Sequence, residues 1–177
     1  TVVVVEQDSP RSGATREVTG IYSPGVFLES NPLDNRFLMI CYFERYEIGY
    51  AIGVTLFDIT TGETRLYELY PKKDDLNFSI DQLYRLIQNY QPPEVLCVGR
   101  PEYKQYQGYL ADSLLLENRK THYLWDIKTE YQNLSFQKSM LEKYFPEHGM
   151  ISVLEYLNLE RKPYSLQSYM YALNFVY

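Results

Sequence analysis

Residues 37–57, FLMICYFERYEIGYAIGVTLF, decide the fold of this chain. The run Phe37–Phe43 is continuously apolar, which is typical of a strand that is buried on both faces. The polar stretch Glu44–Glu47 follows it and predicts a tight turn. From Ile48 to Phe57 large and small residues alternate, so we expect an antiparallel partner strand with one bulky face and one slender face.

The slender face of this second strand is a feature in its own right. Its members are Gly49, Ala51, Gly53 and Thr55, and the bulky face carries Ile48, Tyr50, Ile52, Val54 and Leu56. Small side chains leave room above a sheet. The alternation therefore predicts that a helix or another backbone comes close to the sheet on this side.

Downstream of the hairpin, the pattern predicts a meander and then alternating helices and strands. A turn at Asp58–Glu63 leads to a third strand at Thr64–Tyr70, which completes three antiparallel strands. The predicted elements that follow are a helix to Tyr90 that begins with a capping box of Ser79 and Gln82, a strand Val95–Val98, a helix that starts at Pro101, a strand Thr121–Trp125, a helix Ser135–Tyr144, a short helix capped by Ser152 and Glu155, and a helix Ser165–Tyr177.

Upstream of the hairpin, two shorter strands and a connecting stretch are predicted. Val2–Val5 and Arg16–Tyr22 have the β-branched composition of strands. Ser23, Pro24 and Gly25 interrupt this pattern, and Asn31-Pro32 follows a few residues later. We interpret residues 23–36 as an interdomain linker, which Ser23, Pro24 and Gly25 begin.

The element order from residue 37 onward is β-β-β-α-β-α-β-ααα, which predicts an α/β fold. Three antiparallel strands followed by βα units give a mixed sheet with helices packed against it. This order matches the ribonuclease-H-like architecture, here with additional C-terminal helices. We therefore expect a ribonuclease-H-like mixed sheet.

Composition places the chain among ordinary globular domains. It has 177 residues, of which 45% are hydrophobic and 23% charged, and its formal net charge is −6. At about 150 residues per domain, that length indicates one domain with an appendage. The acidic balance argues against a broad electrostatic grip on DNA or on an anionic membrane. No apolar run approaches the roughly 20 residues that span a bilayer.

The cysteines and tyrosines carry two further indications. Cys41 and Cys97 lie in apolar runs and are expected to be buried free thiols, which suits a reducing, intracellular compartment. Tyrosine is unusually frequent, with 19 residues. A tyrosine-rich surface is typical of partner contacts, and the same enrichment also follows from an AT-rich coding sequence.

Sequence motifs for catalysis are largely missing. There is no G-x-x-x-x-G-K-S/T phosphate loop and no G-x-G-x-x-G, and His122 and His148 have no neighbours at zinc-ligand spacing. Nucleases of the ribonuclease-H-like class hold two metal ions with carboxylates on the first strand, a helix and the fourth strand. The runs Phe37–Phe43 and Val95–Val98 contain no acid. The defensible candidates for displaced metal ligands are Asp58, Glu63 and Asp81.

Several stretches, in order, resemble the DNA mismatch-repair protein MutS family. Val4–Gln7 and REVTGIYSPG at 16–25 resemble the end of its mismatch-recognition domain. Asp34–Leu38, Gly49–Ala51 and LFDITTGE at 56–63 look like parts of its connector domain, as does the strand entry at Pro93–Leu96. The stretch Leu154–Arg161 is similar to the viral and organellar branch of the family. The resemblance extends over nearly the whole chain.

This resemblance implies a division of the chain and a role for each part. Residues 1–25 correspond to the C-terminal end of the mismatch-recognition domain, 26–36 to a linker and 37–177 to the connector domain. The connector is catalytically silent in the family, links the mismatch reader to the clamp and ATPase core, and relays conformational signals. No catalytic, cofactor-binding or metal-binding residue is then expected here, since ATP and Mg belong to the parent protein outside this chain.

The resemblance also implies partners. They are the rest of a MutS-like chain, mismatched duplex DNA bound through that parent, and a MutL-like protein. Bacterial members dock this protein near the start of a helix that precedes an apolar stretch with Phe. The corresponding positions here are Gln137, Lys138, Ser139 and Met140, and Ser139 and Met140 stand where those members carry glutamines. An intracellular location, in a viral host cell or an organelle, is implied by the branch.

Two other functions remain open from the sequence alone. One is an active metal-dependent nuclease that uses the three displaced carboxylates. The other is a stand-alone adaptor that binds protein through a tyrosine-rich surface. Because Thr1 is not an initiator Met, we expect the chain to be a piece of a longer protein.

Overall fold

The computed structural model describes residues 2–7, 16–22 and 37–176 of the chain. Two antiparallel strands, β1 (Val2–Gln7) and β2 (Arg16–Tyr22), form a small sheet of their own, and their register shifts between Val4 and Val5. Both strands were predicted from the sequence. The linker residues Ser23, Pro24 and Gly25 lie outside the described part of the chain.

A five-stranded mixed sheet forms the centre of the fold. Its strands are β3 (Phe37–Tyr46), β4 (Gly49–Asp58), β5 (Thr64–Leu69), β6 (Glu94–Val98) and β7 (Lys120–Leu124). Their order across the sheet is β5-β4-β3-β6-β7, with β3, β4 and β5 antiparallel and β3, β6 and β7 parallel. The first of these strands, β3, is thus the central one, as its continuous apolar run predicts.

Helices cover both faces of this sheet. They are α1 (Phe78–Tyr90), α2 (Gln107–Ser113), α3 (Leu134–Tyr144), α4 (Val153–Tyr156) and α5 (Pro163–Val176), with 3₁₀ segments at Pro101–Tyr106 and Thr129–Gln132. The predicted order β-β-β-α-β-α-β-ααα is confirmed. Alternate residues of β3 enter two apolar cores, one with α1 and α2 and the other with α3, α4 and α5.

The slender face of β4 receives α5, as the alternation predicted. A Cβ atom on Gly53 would lie 1.8 Å from the carbonyl oxygen of Tyr164 at the start of the helix. One turn further along, the hydroxyls of Thr55 and Ser168 lie 2.8 Å apart in the buried interface. The absence of a side chain at position 53 therefore sets how closely helix and sheet pack.

Glu68 on the edge strand β5 holds the first turn of α5. Its Oε2 accepts hydrogen bonds from the backbone N–H groups of Tyr164 and Ser165, at 3.1 and 2.9 Å. The hydroxyl of Ser165 in turn donates to the carbonyl oxygen of Tyr67 at 2.8 Å. A carboxylate from the sheet thus satisfies the free amides and the positive end of the helix dipole.

Two predicted boundaries were wrong at the β3–β4 hairpin. The polar residues Glu44–Glu47 do not form the turn, because β3 continues to Tyr46 and the turn falls at Glu47-Ile48. Tyr46 pairs with Gly49, whose φ of 122° is unfavourable for other residues. The ladder runs further because that glycine, rather than the polar run, permits the reversal. Ile48 is correspondingly exposed instead of continuing the bulky face.

The predicted capping box of Ser79 and Gln82 is also wrong. The helix α1 begins two residues earlier than this capping box requires, at Phe78, with Asn77 as the N-cap. This shift places Ser79 inside the first turn, where it is buried and its hydroxyl has no hydrogen-bond partner among the described residues. The prediction of Ser152 as an N-cap is confirmed, since its hydroxyl accepts a hydrogen bond from the N–H of Leu154 at 3.3 Å.

The last helices differ in how much of their surface is buried. In α5 the buried residues are Ser165, Leu166, Gln167, Ser168, Tyr169, Met170, Tyr171, Ala172 and Leu173. In α3, Leu141 is buried, whereas Phe136, Met140 and Tyr144 are half-buried. The helix α5 is covered on several sides because both the sheet and the segment Thr129–Gln132 pack against it.

The two cysteines occupy neighbouring positions on parallel strands. Cys41 of β3 pairs in register with Cys97 of β6, and both are free and fully buried. Burial raises the pKa of both thiols well above the ordinary value. The prediction of buried free thiols is confirmed, and both side chains act as small apolar core residues.

Substitution of Gly53 tests the contact between β4 and α5. We expect Gly53→Ala to lower the free energy of unfolding by about 1–3 kcal/mol, because the added Cβ overlaps the backbone of Tyr164. Gly108→Ala is the matched control, since a Cβ at Gly108 meets nothing within 4 Å and alanine favours the helix. Urea denaturation of both variants measures the difference. Equal stability of the two variants would contradict the proposed role of Gly53.

Candidate functional site

The carboxyl ends of the parallel strands β3 and β6 form the first candidate site. Open α/β sheets bind ligands at this edge, where neighbouring connections leave the sheet in opposite directions. In this chain β3 turns back into β4 on one side and β6 leads to β7 on the other. Glu44 lies near the end of β3, and Arg100 follows the end of β6.

Glu44 is the centre of a hydrogen-bonded cluster at this edge. Its Oε2 accepts from the hydroxyl of Tyr42 at 3.0 Å, and its Oε1 accepts from the hydroxyl of Tyr103 at 3.2 Å. The Nη2 of Arg100 lies 3.2 Å from the same Oε1. The Glu44 side chain is 17% exposed, so water reaches it only in part.

A second layer surrounds this carboxylate. The hydroxyl of Tyr103 accepts a hydrogen bond from the backbone N–H of Arg45 at 3.1 Å. The Arg45 guanidinium lies 4.3 Å from the ring centroid of Tyr106 and donates to its hydroxyl. The 3₁₀ segment after β6 is thereby bound to the end of β3 by both side-chain and backbone groups.

The electrostatics keep the phenols of the cluster protonated. Burial and then the charge of Glu44 raise the pKa of Tyr42. Burial also raises the pKa of Tyr103, with a contribution from Glu44. The carboxylate raises the pKa of Arg100. At neutral pH the cluster therefore consists of one carboxylate, one guanidinium and two phenol donors.

The hydrogen bonds of Glu44 indicate a structural role for this cluster rather than a role in metal-dependent catalysis. Both oxygens of Glu44 already accept from charged or phenolic donors. Among the described residues, no group of three or more His, Cys, Asp or Glu side chains could hold a metal ion. The chemistry available at this edge is a charge-assisted tie between a strand end and the segment that follows its neighbour.

The strands do contain acids, which the shorter predicted strands left out. Glu94 opens β6 and is buried, with its Oε1 2.7 Å from Nε2 of His122 and 3.0 Å from Nζ of Lys120. It pairs in register with Leu38, six residues before Glu44 along β3. At about 3.3 Å per residue the backbone positions of the two acids are about 20 Å apart along the strands, too far for their carboxylates to share a metal pair.

The three displaced carboxylates are not brought together either. Asp58 and Glu63 lie at the two ends of the β4–β5 turn, and Asp81 lies in the first turn of α1. The Oδ1 of Asp58 accepts from the N–H groups of Thr60 and Thr61, at 2.8 and 3.3 Å. Burial opposes its ionisation, but these hydrogen bonds outweigh burial and lower its pKa. Glu63 pairs with Arg65 at 2.7 Å. Each acid thus has a local structural role.

The four predicted docking residues on α3 differ in their exposure. Gln137 is buried, and its Nε2 donates to the carbonyl oxygen of Tyr131 at 2.5 Å. Lys138 and Met140 are half-buried, and Ser139 is exposed. Docking at this helix stays a prediction. The buried Gln137 fixes α3 against the segment that precedes the helix and is not available for direct contact with a partner.

Ser139 and Met140 line a surface pocket of about 300 Å³. Its other lining residues are Glu130, Tyr131, Phe136, Lys143, Tyr144 and Asn174. The rings of Tyr131 and Phe136 stack with their centroids 5.6 Å apart. This pocket therefore has an aromatic wall and a mixed-charge rim, which is a composition common at protein interfaces.

A larger open groove of about 410 Å³ lies beside this pocket. One side of the groove is formed by the β4–β5 part of the sheet and the other by the end of α3. Its lining residues are Phe57, Gly62, Thr64, Leu66, Tyr144, Phe145, Leu157, Leu159, Tyr169 and Leu173. Tyr144 borders both depressions. The apolar stretch that follows the predicted docking residues thus joins their pocket to this groove.

Sequence reasoning missed the Glu44 cluster and the capping role of Glu68. A signal was available for the first, since Glu44 and Arg100 each follow an apolar strand and parallel strands end at the same edge. No signal was available for Glu68, whose partners Tyr164 and Ser165 lie 96 and 97 residues further along the chain.

Substitution of Glu44 tests whether the cluster stabilises the fold. We expect Glu44→Ala to lower the free energy of unfolding by about 1–3 kcal/mol, because it leaves the donors at Tyr42, Tyr103 and Arg100 without their acceptor. The control is Glu47→Ala, which removes an exposed carboxylate in the adjacent turn. Thermal and urea unfolding monitored by circular dichroism compare the two. A cluster without structural importance would give equal effects for both variants.

Comparison with known proteins gives one relative. The chain is 28% identical to a protein of Acanthamoeba polyphaga mimivirus that is named a mutS homolog in DNA mismatch repair, over an alignment of 203 residues. The alignment covers 99% of this chain and 18% of that protein. No family model matches the sequence.

Among solved structures, a chain of the simian T-cell lymphotropic virus intasome in complex with the PP2A regulatory subunit B56 gamma is 17% identical. The alignment covers 78% of this chain and 50% of the viral chain. The TM-score is 0.31, which does not identify a shared fold. Within the described ranges, no helix has the length and apolar character to cross a membrane. The chain is thus similar in sequence to a mutS homolog over nearly its whole length, and it spans 18% of that viral protein.

Proposed function

We propose that this chain is a non-catalytic connector within a MutS-like DNA mismatch-repair protein. The observation that carries the proposal is the 28% identity to the mimivirus mutS homolog over 99% of the chain. The motifs at 16–25, 49–63 and 93–96, which resemble those of the MutS family and follow one another in the same order, also support the proposal. Mismatched duplex DNA and ATP with Mg are then bound by other parts of the parent protein.

The proposal assigns each segment of the chain. Residues 1–25 end the mismatch-recognition domain, 26–36 form the linker and 37–177 form a ribonuclease-H-like connector domain. The strand order β5-β4-β3-β6-β7, with three antiparallel and two further parallel strands, supports this fold assignment. Both carboxylate oxygens of Glu44 already accept hydrogen bonds, and Glu44 lies far from Glu94 along the strands. These two observations support a connector without nuclease activity.

A connector that relays conformational signals needs to move as one body. The contacts of α5 with Gly53, Thr55 and Glu68 bind the last helix to the two outer antiparallel strands. A displacement at the end of α5 is then transmitted to the sheet rather than absorbed within the domain. The intracellular environment expected of a DNA-repair protein also suits its two buried free thiols.

The surface of α3 is the proposed docking site for a MutL-like partner. Ser139 and Met140 reach the pocket there, and Tyr144 and Phe145 extend it into the larger groove. Lys138 precedes them in α3 and is half-buried. The two depressions together offer an apolar surface with a polar rim, which is the general anatomy of a protein interface.

The reading frame of the natural gene tests the proposal directly. We expect the frame to continue past the codon for Tyr177 and to reach a G-x-x-x-x-G-K-S/T phosphate loop several hundred codons later. Sequencing of the locus or its transcript provides the measurement. A stop codon within a few residues of Tyr177 would contradict the connector role and favour a stand-alone adaptor.

A cleavage assay tests the absence of nuclease activity. With Mg²⁺ or Mn²⁺ and an RNA–DNA hybrid, we expect the purified chain to give no more cleavage than the D58N, E63Q and D81N variants. The reason is that Asp81 lies in α1, away from the β4–β5 turn. The two acids of that turn are already engaged, Asp58 with Thr60 and Thr61 and Glu63 with Arg65. Cleavage by the wild-type chain that any of the three substitutions abolishes would overturn the proposal in favour of a nuclease.

A further inference from the structure

A tyrosine-arginine cluster lies at the opposite edge of the sheet from Glu44, where α1 ends and β5 begins. The hydroxyls of Tyr90 and Tyr67 lie 2.5 Å apart. The Nη1 of Arg65 donates to the Tyr90 hydroxyl at 3.0 Å. The guanidinium also lies 5.3 Å from the ring centroid of Tyr90 and 5.4 Å from that of Phe37. Arg65 thus donates to the Tyr90 oxygen, and the Tyr67 hydroxyl lies within reach to donate a second hydrogen bond once Tyr90 is ionised.

This geometry stabilises Tyr90 in its ionised form. The hydrogen bond from Tyr67 and then that from Arg65 lower the pKa of Tyr90, while burial and the charge of Glu63 oppose them. Burial and the hydrogen bond to Tyr90 raise the pKa of Tyr67, so Tyr67 keeps its proton and remains a donor. Glu63 is held by Arg65 at 2.7 Å and completes the set of charged groups that face this phenol.

Other partly exposed tyrosines have the opposite environment. The hydroxyl of Tyr70 donates to the carboxylate of Glu68, and burial together with that bond raises its pKa to about 12. The hydroxyl of Tyr109 donates to Oδ1 of Asn77 at 2.9 Å. An acceptor beside a phenol holds the proton on it, whereas the donors beside Tyr90 favour its loss. Tyr90 is half-buried and so retains access to solvent.

We propose that Tyr90 is a reactive phenol and the preferred acceptor on this chain for an electrophile with a tetrahedral sulfur or phosphorus centre and a leaving group. The phenolate oxygen forms a bond to that centre, the bond to the leaving group breaks, and the phenolic proton passes to water. No oxidation or reduction takes place. The Arg65 guanidinium then faces the oxygen-rich group that has been attached. This inference does not depend on the connector role.

Labelling with benzenesulfonyl fluoride tests this inference on the full 177-residue chain. The fluoride ion is the leaving group, and peptide mass spectrometry after short exposures at pH 8 gives the extent of sulfonylation at each tyrosine. We expect Tyr90 to react at least about fivefold faster than the exposed Tyr70, because the donors beside Tyr90 favour its phenolate whereas Glu68 holds the proton on Tyr70. Comparable rates at the two positions would overturn the proposal.

Variants of Arg65 and Tyr67 test whether these two donors cause the reactivity of Tyr90. R65M and Y67F each remove one donor, and we expect each to slow labelling of Tyr90 about threefold or more. R65K keeps the charge and is expected to lie between R65M and the wild-type chain. The matched control is K72M, which removes a cation 3.7 Å from the ring centroid of Phe78, away from this cluster. Circular dichroism shows whether each variant is folded.

The pH profile separates chemical activation from simple exposure. In the wild-type chain, the labelling rate of Tyr90 should rise at lower pH than that of Tyr70, whose pKa is raised to about 12. R65M should move the Tyr90 curve to higher pH. If R65M and Y67F remain folded and leave both the rate and the profile of Tyr90 unchanged, the proposed activation is wrong. That result would leave the connector proposal untouched, since it is tested by the reading frame.

Discussion

The structure depends on the contact between the bare backbone at Gly53 and the first turn of α5. Every other arrangement on that face of the sheet follows from how close the helix comes. The hydroxyl pair of Thr55 and Ser168 forms only if the helix lies almost against the strand. Glu68 can reach the free amides at Tyr164 and Ser165 only from the same distance. The second apolar core then closes between β3 and α5.

Much of this fold was predictable because the patterns that encode it are local. The continuous apolar run at Phe37–Phe43 indicates a central strand, and alternation along β4 indicates one face for a helix. Which helix would occupy that face was not predictable, since all the later helices have apolar stripes. The turn at Glu47-Ile48 was missed because a polar run is a weaker determinant than a glycine in the left-handed region. Ser79 was misassigned because a shift of two residues in the helix start changes a cap into an interior position.

The candidate sites were less accessible to sequence reasoning, since they depend on which residues meet across the fold. The absence of acids from the predicted strands pointed away from a nuclease, yet the strands are longer and include Glu44 and Glu94. Their spatial relation is provided only by the register of β3 and β6, which places Glu94 opposite Leu38, six residues before Glu44. Burial of Gln137 likewise changes its role from a contact residue to one that positions α3.

The distance in sequence between the two sides of the α5 contact has a consequence for synthesis. Thr55 and Ser168 are separated by 113 residues, so the helix can close the sheet only after the residues up to α5 have left the ribosome. Contacts of such long range form late and slowly. Until α5 has packed, Leu38, Ile40 and Tyr42 of the central strand are not covered by this helix. They leave an apolar surface that is prone to aggregation. Nascent chains that stall before α5 emerges would therefore be the ones most in need of a chaperone.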